Sequence, residues 1–143
     1  MAWTGGCQCG AVRFRVEGDL GRASICHCRM CQKATGGPFG AFVTVQRDDL
    51  TWTRAEPQRF QSSNIVRRGF CAACGTPLTF ETDRSTDLSI FAFDRVGEIT
   101  PVIQLEPERS PAWVAHVAGL PVVVAPTGHF DRIISHQHPD HDT

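Results

Sequence analysis

Seven cysteines fall into three short clusters, and this spacing constrains the chain more than any other feature. Cys7-Gln8-Cys9 is a C-x-C, Cys26-His27-Cys28-Arg29-Met30-Cys31 a C-x-C-x-x-C, and Cys71-Ala72-Ala73-Cys74 a C-x-x-C. Zinc needs four ligands to close a structural site and three protein ligands to leave one position for chemistry. Two pairs and a triplet therefore supply one closed site and one open site. Joining Cys7/Cys9 to Cys71/Cys74 closes a loop of about sixty residues and removes chain freedom from the unfolded state. It is expected to pin the N-terminal strand to the middle of the sheet. Gly10 and Gly75 follow the two pairs. A glycine there can take a positive φ, turn the chain under the metal and aim N–H groups at the sulfurs. The alternative is free cysteines packed as small hydrophobes, but that gives no reason for close pairs each followed by glycine.

An odd number of cysteines cannot all pair within one chain. No basic n-region or apolar h-region stands at Met1–Gly6, so a cytoplasmic setting with reduced thiols is expected. Apolar runs such as Val122-Val123-Val124-Ala125 are too short to span a bilayer, so no membrane partner is expected. The net charge is -1 and the longest basic run is Arg67-Arg68. That balance argues against a zinc-ribbon nucleic-acid binder, and the arginine pair reads as a solvated strand edge.

The chain reads as mainly β. Ala11–Glu17 alternates apolar and polar residues with period two, and Gly18-Asp19 reads as a turn. Further strands are expected at Gly40–Val45, Gln58–Ser62, Ile65–Phe70, Pro77–Glu81, Leu88–Phe93, Pro101–Leu105 and Trp113–Val117. A short helix is expected over Arg29–Ala34. Residues 1–125 are expected to form one metal-binding domain, and residues 126–143 a mobile, polar, His-rich tail. In the tail, His136-Gln137-His138-Pro139-Asp140-His141 fits H-x-H-x-D-H, the metal signature of metallo-β-lactamase-type hydrolases. That motif needs a preceding strand and further ligands downstream, and only Asp142 and Thr143 remain, so it reads as a decoy. Trp3, Trp52 and Trp113 read as core or site walls. Asp48, Asp49 and Asp94 read as turn residues rather than proton shuttles.

Cys26, Cys28 and Cys31 lie within six residues, so one metal can gather all three. A zinc held by three thiolates carries a net charge near -1 and an unfilled tetrahedral position. That position suits a substrate thiol, which the metal would hold as the nucleophilic thiolate at neutral pH. Alternatively His27, His116 or another residue fills it and the site is structural. His27 is the poorer filler, because in an extended C-H-C its side chain points away from the two sulfurs.

Gly5-Gly6-Cys7-Gln8-Cys9-Gly10-Ala11-Val12-Arg13-Phe14 resembles the opening motif of the glutathione-dependent formaldehyde-activating enzymes, a family that also includes centromere protein V. Cys26-His27-Cys28-Arg29-Met30-Cys31 with Thr35-Gly36 looks like the second motif, and Phe70-Cys71-Ala72-Ala73-Cys74-Gly75-Thr76-Pro77-Leu78 like the third. Pro111-Ala112-Trp113-Val114 and Gly119-Leu120-Pro121 are similar to the closing strand and turn, so the likeness runs from about Trp3 to Pro121. The resemblance implies an Mss4-like fold of small antiparallel sheets. It implies two zinc ions: a structural one on Cys7, Cys9, Cys71 and Cys74, and a catalytic one on Cys26, Cys28 and Cys31. It also implies a carbon–sulfur lyase that adds a thiol, glutathione in the family's name reaction, to formaldehyde. The other reading of the same residues is a zinc-stabilised thiol carrier or protein-interaction module without turnover. The chain departs from the family pattern at Val117-Ala118-Gly119, where an acidic residue often precedes the Gly-Leu-Pro turn, and at Gln32-Lys33, where arginines often follow the last cysteine.

Overall fold

Period-two alternation folds as expected in the computed structural model, which describes residues 1–143. Strand β1 (Trp3–Gly6) turns through the first cysteine pair into β2 (Arg13–Val16), and β5 (Leu50–Trp52) pairs with the other edge of β2. These three strands form one antiparallel sheet in the order β1-β2-β5. The larger sheet uses β3 (Ala23–Cys26), β4 (Gly40–Val45), β6 (Gln58–Gln61), β7 (Arg67–Phe70), β8 (Thr79–Glu81), β9 (Thr86–Ser89) and β10 (Ile103–Leu105). Its order is β10-β3-β4-β9-β8-β7-β6, antiparallel throughout except for the parallel pair β10–β3. The fold is therefore mainly β, built of small sheets with one α-helix, α1 (Arg29–Thr35). It is consistent with the Mss4-like expectation.

The core sits between the two sheets. Phe14 from β2, Leu88 from β9 and Leu78 just before β8 are each 0% exposed. Each contributes on the order of 1.5–3 kcal/mol by leaving water. Phe14 meets Phe93 and Trp52 edge-on, at ring separations of 5.0 and 6.0 Å. Central strand β4 is buried at nearly every position, because β3 and β9 flank it and side chains cover both its faces.

Several expectations need correction. The N-terminal strand expected over Ala11–Glu17 does not join the larger sheet; it forms β2, the middle strand of the three-stranded one. Only Leu88 and Ser89 of Leu88–Phe93 are strand: after Ser89 the chain tightens into a 3₁₀ turn over Ile90–Ala92, with the Phe93 N–H donating to Ile90 O at 3.1 Å. That turn brings Phe93 beneath β1, where it bridges Gly5. Trp113–Val117 is not a strand but part of a 3₁₀ run over Ala112–Gly119. Pro111 sets a helical φ for the turn that follows, and the Val114 N–H donates back to Pro111 O at 3.0 Å. Trp113 is 60% exposed there, so it walls neither core nor cleft. Strands β1, β3 and β5 were not expected. Gly5 and Gly6 weaken the strand signal of β1, yet a Cβ on Gly5 would stand 2.3 Å from Ala92 O.

The last residues are not free. The His138 N–H donates to Gln8 O at 2.7 Å, Asp142 pairs with Arg13 at 2.7 Å, and Arg54 donates to Thr143 Oγ1 at 2.8 Å. This end of the tail folds back over the Cys7–Gly10 turn. The polar residues anchor it through charge and hydrogen bonds that hydrophobic patterning does not record.

Candidate metal centres

Cys7 and Cys9 lie in the turn between β1 and β2, and Cys71 and Cys74 in the turn after β7. Their four sulfurs all lie within 4.8 Å of one another. Cys7 Sγ and Cys9 Sγ are 3.6 Å apart, and Cys9 Sγ and Cys71 Sγ 3.9 Å. Two sulfurs on one tetrahedral zinc, each about 2.3 Å from the ion, stand about 3.8 Å apart. Both separations match those of a closed tetra-thiolate site. Gly10 and Gly75 take φ values of 79° and 82°, as the motif demands. The turns aim donors at sulfur: Val12 N–H to Cys7 Sγ at 3.2 Å, with the Thr76 hydroxyl 3.2 Å from Cys74 Sγ. The Gln8 N–H reaches that same hydroxyl at 3.0 Å and ties the two turns together.

Cys26 ends β3, held in register between Gly40 of β4 and Leu105 of β10. Cys28 is the N-cap of α1, its sulfur accepting the Cys31 N–H at 3.3 Å. Cys31 follows one turn later, almost completely buried. A strand end, a cap and a first helical turn thus converge three sulfurs within 4.8 Å of one another. No fourth His, Cys, Asp or Glu side chain joins that group. His27 points away from the sulfurs, as expected: its Nε2 lies 3.0 Å from Gln104 Oε1 and its ring meets Phe39 edge-on. His116 sits in the outlying 3₁₀ run and is not in the group. The triplet therefore offers three thiolates and no fourth protein ligand.

Crowding sets the thiols of each group in conflict over protons. Burial, reinforced by neighbouring sulfurs, pushes Cys7 and Cys26 up to about 12. Burial also raises Cys74 and Cys28, but local donors outweigh it. The Thr76 hydroxyl and backbone amides bring Cys74 down to about 6, and the Cys31 amide pulls Cys28 below its ordinary value. A divalent cation removes the conflict by stabilising every thiolate at once.

Sequence reasoning missed Arg68. It is 5% exposed, not a solvated strand edge, and its Nη2 lies 3.4 Å from Cys31 Sγ. Adjacent Arg67 is exposed, because β7 alternates its faces. That alternation was available in the sequence, but nothing marked which arginine faced inward. Arg68 also lines an apolar cleft of about 220 Å³ with Thr35, Phe42, Phe60 and Phe70. On the outer side of α1, Arg29 and Lys33 border a neighbouring groove that shares Phe60 and Ala34 with this cleft. Asp94 is not a simple turn residue either. Arg13 grips it in two parallel bonds, Nη1–Oδ1 at 2.8 Å and Nη2–Oδ2 at 2.6 Å. The tail imidazoles of His136, His138 and His141 belong to neither cysteine group.

A mainly β fold carrying a group of four and a group of three converging thiols defines a class of proteins with two candidate metal centres. Residues 2–116 match the family model described as glutathione-dependent formaldehyde-activating enzyme, and the chain belongs to that family. It is also 33% identical over 86 residues to a Halomonas elongata protein named "Putative glutathione-dependent formaldehyde-activating enzyme". That alignment spans 54% of this chain and 55% of the relative, about half of each. No helix is long and apolar enough to cross a membrane.

Proposed function

We propose that the chain is a zinc-dependent carbon–sulfur lyase that adds a thiol, glutathione, to formaldehyde and runs the reverse cleavage. The observation that carries this reading is the group of three converging sulfurs with no fourth protein ligand. In this reading Cys7, Cys9, Cys71 and Cys74 hold a structural ion, Cys26, Cys28 and Cys31 hold a catalytic one, and residues 1–125 form the working domain. Zinc bound by three thiolates supplies an exchangeable fourth position and the Lewis acidity to keep an incoming thiol ionised at neutral pH. The residues around it prepare that encounter. The β3 register and the α1 cap fix the three sulfurs before substrate arrives, which lowers the ordering cost at the moment of binding. Arg29 and Lys33 border the adjoining groove and suit a thiol that carries carboxylates. In the addition, a carbon–sulfur bond forms, the carbonyl π pair moves to oxygen, and that oxygen takes up a proton equivalent to the one the thiol gave up. The family match supports glutathione and formaldehyde as the pair.

The test is metal analysis coupled to turnover. Zinc-loaded protein is expected to hold two ions per chain and to form S-(hydroxymethyl)glutathione from glutathione and formaldehyde above the spontaneous rate. Cys28→Ser is expected to stay folded with one ion and no excess rate. Two ions in a protein that never exceeds the spontaneous rate would favour a thiol carrier over an enzyme.

A further inference from the structure

We propose that Arg68 is the counter-charge of the three-cysteine centre and a positioning residue for thiol binding. The inference rests on the reading of Cys26, Cys28 and Cys31 as metal ligands and adds a residue to it.

A buried guanidinium without an opposite charge is among the costliest groups a fold can hold. Arg68 is 5% exposed and makes no ion pair with any carboxylate. The buried acid Glu81 on neighbouring β8 is occupied by Arg59 Nε at 2.8 Å and the Thr79 hydroxyl at 2.8 Å. Arg68 is held instead by neutral groups. Its Nε donates to Ser62 Oγ at 2.8 Å, and its guanidinium lies 5.1 Å from the Phe80 ring centroid. These contacts orient the fork and leave Nη2 aimed at Cys31 Sγ, 3.4 Å away. The remaining source of negative charge is the sulfur cluster itself.

The charge sum gives the contact its purpose. A divalent ion with three thiolates carries a net charge of about -1, and an incoming thiolate raises this to about -2. Accumulating two negative charges in a half-buried site is unfavourable, and the penalty falls on the thiol, since a neutral ligand adds no charge. Arg68 returns each state by one unit: neutral before the thiol binds, about -1 after. Its effect is therefore selective for an anionic fourth ligand. The three-cysteine group has a cation poised against it, whereas the four-cysteine group contacts amides and hydroxyls alone.

The experiment uses the full chain loaded with two equivalents of zinc or cobalt(II), as wild type, Arg68→Met and Arg68→Lys. Chelator competition reads metal affinity at the weaker site. Arg68→Met is expected to lose 10–100-fold there, the range seen when an outer partner of a metal ligand is removed, while the tighter site is unchanged. The cobalt absorption bands then report the fourth ligand during titration with 2-mercaptoethanol or with imidazole, small probes that differ in charge when bound. Arg68→Met is expected to weaken 2-mercaptoethanol binding about tenfold and leave imidazole within about twofold; Arg68→Lys is expected to restore the parental ratio. Equal metal affinity in Arg68→Met, or a parallel fall for both probes, would overturn the assignment. If Arg68→Met does not fold, Arg68→Lys decides alone: a near-parental thiol-to-imidazole ratio supports the role, and a collapsed ratio removes it. A wild-type chain that binds one ion removes this inference together with the proposed function. Two ions with an indifferent Arg68 remove this inference only.

Discussion

Replacing Cys74 by serine should cost far more stability than replacing Cys28, and the difference can be worked from chain topology. The four-cysteine group joins Cys9 to Cys71 across a separation of 62 residues. If a metal clip restricts the unfolded chain as a covalent cross-link does, closing a loop of this size removes about 14 cal/mol/K, or about 4 kcal/mol at 25 °C. The three-cysteine group ties only residues already neighbours at a strand end and a helix entry. Its cross-link restricts little that the chain does not restrict by itself. Cys74→Ser is thus expected to lose about 4 kcal/mol, or roughly 10–15 °C in Tm at this chain length. Cys28→Ser is expected to lose less than half of that. Urea and thermal melts followed by far-ultraviolet circular dichroism, with zinc counted in the same samples, measure both. Equal losses in the two variants would refute the division between a bracing centre and a working one, as would Cys74→Ser protein that keeps two ions and a parental Tm.

Three further outcomes follow from contacts away from the sulfurs. Asp94→Asn breaks the two-bond pair with Arg13, whose side chain is 3% exposed but which keeps Asp142 as a partner, and should cost about 1.5–3 kcal/mol in urea unfolding. Burial pushes the Asp94 carboxyl up, but Arg13 and the Thr4 hydroxyl outweigh it and hold it below its ordinary value. Its contribution is therefore complete above the ordinary carboxylate pKa and is lost as pH falls through the depressed one; the parental stability should decline there and the Asp94→Asn curve should be flatter. Gly10→Ala forces a left-handed φ on alanine and places a Cβ 2.4 Å from His138 Cδ2. It should cost at least about 1–2 kcal/mol and free the tail, read as faster proteolytic removal of residues near the C-terminus. Trp113→Ala should change stability by no more than about 0.5 kcal/mol, because the ring is exposed outside both sheets.

What the sequence disclosed and what it hid follow physical lines. Cysteine spacing located both groups, since ligands that share an ion must be close and the turns between them need particular residues. Alternation located β2, and flanking turn residues bounded β4 and β8 to within two positions. The same reasoning failed where partners distant in sequence decide. Phe93 buries itself under β1, so Leu88–Phe93 cannot stay extended. Arg68 and Asp94 are charged residues that turn inward to meet Cys31 and Arg13, 37 and 81 positions away. Composition gave no warning of either. The docked tail is the same case, because His138 and Asp142 find Gln8 and Arg13 across 130 and 129 positions.

The two centres also divide the architecture. The four-cysteine group draws one pair from the three-stranded sheet and the other from the turn after β7 in the larger sheet, so an ion held there would clamp one sheet onto the other. The three-cysteine group lies within the larger sheet and its helix, where exchange of a ligand need not disturb the joint between sheets. A protein that must open one metal's coordination in each catalytic cycle gains from keeping that ion out of the clamp. A single ion given both tasks would loosen the fold whenever substrate bound. Separation also explains the contrast in surroundings. On the proposed reading, amides and hydroxyls are enough to hold an ion that stays fully ligated, whereas a site that accepts a further thiolate would meet a larger negative charge, and Arg68 lies against that group.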